Sequence, residues 1–139
     1  MILDKALSKS LLGYNPINKR IMTVRSAASL HNLSIVQGYA PTNVATDSEK
    51  DAFNRQLEQV TNQLPARDII ILSGDWNAKL GKGNPIGKHA LGTMNDNGER
   101  LLNYARINSV LATNCLVPRH ARRTYTWKSF DGAYRGVSK

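Results

Sequence analysis

Four aliphatic residues in a row, Ile69-Ile70-Ile71-Leu72, run through Ser73 into Gly74, Asp75, Trp76 and Asn77. Three are β-branched, and an unbroken apolar run of this length predicts a strand, Asp68 to Ser73, buried on both faces of a sheet. An aspartate directly after such a strand stands at its C-terminal mouth, where layered α/β proteins gather their ligand-binding groups. Gly74 fits this position because a side chain would obstruct a turn or a close approach.

The remaining pattern supplies partners for that strand. Ile21-Met22-Thr23-Val24-Arg25 and Leu33 to Tyr39 alternate apolar and polar residues, which predicts two neighbouring antiparallel strands joined through Ser26 to Asn32. Ala40-Pro41-Thr42-Asn43 stops the second, since proline cannot donate to a ladder. Thr46 and Glu49 fit a capping box, with Ala52, Phe53, Leu57, Val60 and Leu64 behind them on one helical face that ends at Pro65. Gly81 to Asn95 reads as a long loop. A second helix starts near Asp96, with Leu101, Leu102 and Ala105 turned to a core. Val110 to Thr113 and Thr124 to Trp127 complete the expected strands. Strands interleaved with helices make the fold class α/β, with residues 1–139 as one domain.

The chain carries 19 Lys and Arg against 10 Asp and Glu, so the first partner to consider is a polyanion: nucleic acid, a phospholipid surface or a phosphorylated small molecule. The excess gathers near both ends, Lys5 to Arg25 and Arg119 to Lys139, where a solubilising surface is an equally open reading. A single cysteine, Cys115, excludes an intramolecular disulfide and sits in an apolar run as a core thiol. Neither a signal segment nor a membrane-length apolar run is visible, which makes an intracellular chain, nuclear or cytoplasmic, the expectation. His31, His89 and His120 are far apart in sequence and none has ligand spacing.

Asp75 and Asn77 lie two residues apart, so in extended backbone their side chains point to the same side. A carboxylate beside an amide suits phosphate-ester hydrolysis, the one orienting or deprotonating water and the other holding a phosphate oxygen. The same Gly-Asp-x-Asn pattern equally fits an Asx-type turn whose side chains bond nearby backbone. Trp76, inside the motif, reads as an apolar side chain flanking the site.

GDWNAK after an apolar strand, YAPT one strand earlier and TYTWKS after a basic stretch together resemble the endonuclease/exonuclease/phosphatase superfamily of metal-dependent phosphoesterases. LLGYNPINKRIMTVR, VQGYAPTN, GDWNAKLGKG, GKHALGTMNDNGERLL and TYTWKSFDG are similar to the endonuclease domain of RTE-type non-LTR retrotransposons and to craniofacial development protein 2-like host proteins, from about Leu11 onward. The resemblance implies a four-layer α/β sandwich, two mostly antiparallel sheets flanked by helices, here partial at both termini. It implies that Asp75 handles the attacking water, that Asn77 contacts the scissile phosphate and that Tyr39 lies beside it. It also implies that Trp127 supports the site wall or the DNA-facing surface, core packing being its plainer role. His89 matches a loop element there. DNA, or RNA, is the implied partner and Mg²⁺ the implied cofactor.

In the family, a metal-holding Glu and its companion Asn precede the segment matched by Leu11, and a Ser-Asp-His follows the segment matched by Thr124 to Gly132. Here Asp4 is the one acid before Leu11, and the chain runs on as DGAYRGVSK, so no residue is assigned to metal. The expectation is weak Mg²⁺ binding, little or no nuclease activity and unpaired sheet edges. The alternatives are a non-catalytic basic nucleic-acid binder, a retrotransposon remnant without a role, and, more distantly, a sugar or lipid phosphatase.

Overall fold

A computed structural model describes residues 4–5, 7–83, 89–90 and 92–118, with the backbone of 127–128 and 135–136. Its elements in chain order are β1 (Leu11–Pro16), β2 (Ile21–Ser26), β3 (Leu33–Tyr39), α1 (Asp47–Asn62), β4 (Ile69–Asp75), α2 (Asp96–Ile107), β5 (Trp127–Lys128) and β6 (Arg135–Gly136), with 3-10 turns at Leu7–Ser10 and Thr113–Cys115. The main sheet has the order β1-β2-β3-β4; β5 and β6 pair with each other. β1, β2 and β3 form an antiparallel meander, and β4 lies parallel to β3. The parallel step needs a crossover, and α1 provides it. The fold is therefore a mixed sheet with two helices, an α/β arrangement.

β2 and β3 pair antiparallel as read, but the buried face does not follow the apolar pattern: Ile21 and Val24 are buried on opposite faces of β2, and in β3 Ser34 is buried while Leu33 and Ile35 are half-buried. Ile21, Ser34, Val36 and Gly38 share the face under α1, where Phe53, Leu57 and Val60 meet them. Helix α1 begins on the expected capping box: Thr46 Oγ1 accepts from the Glu49 amide, and the Glu49 carboxylate accepts from the Thr46 amide at 3.0 Å. Ala52, assigned to the buried face, is exposed; Lys50 and Thr61 are buried instead. Lys50 pairs at this depth with Asp96 of α2 at 2.8 Å, while Arg100 reaches Asp96, Asp51 and Asp47. The Lys50 hydrogen bond first, and the Arg100 one after it, hold the Asp96 carboxyl below the usual carboxylate range. Beneath these pairs, Tyr104 donates to Thr61 at 2.9 Å. Together these contacts fix α2 against α1.

Two expectations about strands are overturned. Among the described residues β4 lies at the edge of the sheet rather than buried on both faces: Ile69, Ile70 and Ile71 are 51%, 38% and 42% exposed. Apolar composition reports what a strand can bury, not whether a neighbour is there to bury it. Val110 to Thr113 is not a strand either. Val110 donates back to the Ala105 carbonyl to close α2, and Ser109 takes a left-handed φ of 53°. Val110 and Ala112 pack as loop residues onto Leu80, Leu102 and Cys115, the last buried as expected. Of the predicted strand Thr124 to Trp127, residues 124–126 lie outside the described residues. Among the described residues, no helix is long and apolar enough to cross a membrane.

Asp68 anchors the start of β4. Its side chain is 2% exposed and accepts from Arg25 at 2.6 and 3.0 Å and from the Ser34 hydroxyl at 2.7 Å. The Arg25 hydrogen bond, aided by Ser34, holds its carboxyl below the ordinary range. A depressed folded-state value contributes stability that is complete above the unfolded value, about 3.9, and is lost as pH falls through the folded one. The stability gap between wild type and Asp68→Asn, measured as urea midpoints, is therefore expected to be full at pH 6–7 and to narrow below about pH 4. A gap that does not change with pH would count against it.

Candidate functional site at the sheet rim

The site is the C-terminal rim of the two parallel strands. Gly38 lies opposite Gly74, and Tyr39 opposite Asp75, in the β3–β4 register. Residues opposed in this way point to the same face, so Tyr39 and Asp75 stand side by side. Both are solvent-exposed, Tyr39 by 53%. The glycine pair makes this closeness possible. Gly74 has φ 131°, and a Cβ there would lie 1.8 Å from the Gly38 carbonyl oxygen. Across Gly38 lies the Trp76 ring, which a Cβ would meet at 2.8 Å.

Past Asp75 the chain turns inward. Trp76 is 8% exposed and packs edge-on against Phe53, with centroids 6.2 Å apart. It is thus a core residue beneath the site, not a flank of it. Asn77 follows in the left-handed region at φ 48°, which asparagine tolerates better than most residues. The backbone is therefore not extended here, and the same-side argument from two-residue spacing does not hold. A turn joins the two residues instead: the Asp75 carboxylate accepts from the Asn77 amide at 3.0 Å. The Asn77 side-chain amide donates to the Ala40 carbonyl at 2.9 Å, and the Ala40 amide donates to the Asp75 carbonyl at 2.9 Å. The Asx-type turn is thus present, and it leaves an exposed carboxylate with free lone pairs and one N–H of the Asn77 amide beyond its Ala40 bond.

Two asparagines that sequence reading passed over hold this turn from below. Asn95 caps α2 by accepting from Gly98, accepts also from the Lys79 amide at 2.8 Å, and donates to the Asn77 carbonyl at 3.0 Å. Asn97, 6% exposed, donates to the Pro41 carbonyl at 2.9 Å and to the Asn77 carbonyl at 3.4 Å. Gly98 lets the helix start press against the motif, since a Cβ there would lie 1.9 Å from the Lys79 carbonyl oxygen. A polar residue on the buried side of an amphipathic helix was the available signal for Asn97. Arg20 was also missed. It comes from the β1–β2 turn, donates to the Tyr39 carbonyl at 3.2 Å and lies 5.6 Å from the centre of the Tyr39 ring.

Tyr39, Asp75 and Asn77 thus meet at one solvent-facing rim beside a cation, while the Trp127 side chain lies outside the described residues. His31 and His89 are exposed; His120 lies outside the described residues. A cavity of about 280 Å³ between α1 and α2 is lined by Asp51, Arg55, Arg100 and Tyr104 among others, and by none of the rim residues. Among the described residues, Tyr39 and Asp75 are exposed at the rim and Asn77 is half-buried. The rim's strands supply one carboxylate, and among the described residues no group of three His, Cys, Asp or Glu gathers to hold a metal ion. Mg²⁺ takes several oxygen ligands, so this donor set by itself does not fit it.

The chain is 36% identical over 138 residues to craniofacial development protein 2 of Bos taurus, and 33% identical over 138 residues to the protein of that name from Tragulus javanicus. Each match takes in 97% of this chain but 23% and 24% of the relative, so the chain spans about a quarter of the length of the curated relatives it matches. No family model matches it.

Proposed function

We propose that the chain is part of a metal-dependent phosphodiesterase of the endonuclease/exonuclease/phosphatase type, and that its rim engages the phosphodiester backbone of DNA. The observation that carries this reading is the meeting of Tyr39, Asp75 and Asn77 at one exposed strand end, flanked by Arg20. In the reaction, Asp75 orients the attacking water and accepts its proton, and the free amide N–H of Asn77 with the Tyr39 hydroxyl holds non-bridging phosphate oxygens. Arg20 and the net charge of +9 favour the approach of a polyanion. The finer fold reading belongs with this function: a four-layer sandwich in which the four-stranded sheet described here is one of two. With one carboxylate at the rim, these residues alone are expected to bind DNA and to hydrolyse it slowly or not at all.

Binding of a labelled DNA duplex in EDTA tests the placement of Asp75. Without metal its carboxylate repels the backbone, an effect of about 1 kcal/mol at contact distance in water, or about fivefold in affinity. Asp75→Asn should therefore bind several-fold more tightly than wild type. Glu58→Gln, an equal charge change on the exposed side of α1, should raise affinity much less. Equal gains in both variants would remove phosphate from the rim. Affinity must also fall steadily with salt, and a flat response would exclude a nucleic-acid backbone altogether. Brisk plasmid nicking in Mg²⁺ that persists in Asp75→Asn would show that the chemistry lies elsewhere.

A further inference from the structure

One asparagine in the chain is followed by glycine, and it is Asn97. With no Cβ, a glycine leaves its amide nitrogen open to attack the preceding side chain, so such a step loses its amide more readily than others. In the attack the Gly98 nitrogen bonds to Asn97 Cγ, the Cγ–Nδ2 bond breaks, and ammonia departs with the amide proton. Water then opens the cyclic imide to aspartate or isoaspartate. Both members of the step are needed where they stand. Asn97 Nδ2 donates to the Pro41 and Asn77 carbonyls, which belong to the segments leaving β3 and β4. Gly98 sits where a Cβ would lie 1.9 Å from the Lys79 carbonyl oxygen.

We propose that Asn97 is a deamidation site which the folded rim holds in check, and whose modification releases the Asn77 turn. The same contacts do both. The Gly98 N–H, which must give up its proton before its nitrogen can attack, donates to Asn95 Oδ1 at 2.8 Å. Asn97 Nδ2, the leaving group, is tied to the Pro41 carbonyl at 2.9 Å in a buried pair. Attack therefore waits for the start of α2 to open, and its rate in the folded chain follows the population of that opening. Once modified, the position cannot close as before. An aspartate carboxylate has no hydrogen to donate, so it would set oxygen against the Pro41 and Asn77 carbonyl oxygens in a buried place. An isoaspartate would add a methylene to the backbone of the first turn of α2. The helix itself accepts an acid in that turn, where its dipole favours negative charge. The loss from aspartate thus falls on the tie between the two rim segments, and it does so whether or not the rim takes phosphate.

Peptide mass spectrometry of the 139-residue chain, incubated at one mildly alkaline pH in buffer and in concentrated urea, tests the protection. In urea Asn97 should be the first asparagine to exchange its amide for a carboxylate, and in buffer its conversion should be roughly ten times slower or more. Asn97→Asp, which carries the aspartate product from the start, tests the consequence. Amide hydrogen exchange at Asn77 should accelerate in it several-fold more than exchange at Leu102 in the body of α2. Asn97→Ser, shorter and uncharged, makes the same comparison should Asn97→Asp not fold. Equal conversion in buffer and urea, another asparagine converting first in urea, or an Asn77 amide that exchanges in step with Leu102 would each overturn the proposal.

Discussion

Gly74→Ala is expected to cost about 2–6 kcal/mol of stability, read as a much lower urea midpoint. The methyl group would point at backbone, 1.8 Å from the Gly38 carbonyl oxygen and under 3 Å from the Gly38 carbonyl carbon and amide nitrogen, so no rotamer change relieves it. Relief requires β3 and β4 to part where the Ala40 amide meets the Asp75 carbonyl. The φ of 131° adds strain that an alanine cannot avoid. Backbone strain of about 1–3 kcal/mol and overpacking of about 1–3 kcal/mol combine to a large part of the 5–15 kcal/mol typical of a domain. Gly83→Ala separates the causes. It also has positive φ, at 72°, but meets nothing within 4 Å, and it should cost about 1 kcal/mol. If the two variants melt alike, close approach of the strands is not what Gly74 provides.

What could be read in advance follows from how local each cause is. The Thr46–Glu49 capping box and the two paired strands over Ile21 to Arg25 and Leu33 to Tyr39 are settled within a few residues, and they stand as read; which residues of those strands are buried is set by α1 and does not follow their apolar pattern. β1 was not read as a strand. All of its residues are exposed, it contains a glycine and a terminal proline, and it pairs with β2 through an irregular register, so its own composition carries little strand signal. Val110 to Thr113 is apolar but short, and a short run cannot tell a strand from a loop that packs on a core. At the site, Asp75 and Tyr39 were legible because each ends a strand. The turn at Asn77 was not, because alternation assumes extended backbone and Asn77 leaves it. Asn95 and Asn97 act on carbonyls 18 to 56 residues away, and no local pattern reports that distance.

Trp76→Ala should cost about 3–5 kcal/mol, within the usual range for deleting a buried aromatic, read as a lower urea midpoint with the slope unchanged. Trp76 fills the space that Gly38 leaves open and packs edge-on against Phe53 of α1. Its position between Asp75 and Asn77 gives the loss a second consequence. The ring pins the rim turn to the core from one side, while Asn95 and Asn97 hold the Asn77 carbonyl from the other. Removing the ring leaves the hydrogen bonds to hold a left-handed asparagine without its packed neighbour. Amide hydrogen exchange at Asn77 and Ala78 should then accelerate by more than the loss of global stability accounts for, whereas exchange in β2 should follow global stability alone. Leu57→Ala, which opens the same core from α1 at 1% exposure, is the control: it should lower stability comparably and leave the rim's excess protection intact. Equal acceleration in the two variants would mean that the turn depends on the core as a whole, and Trp76 would then have no separate part in presenting Asp75.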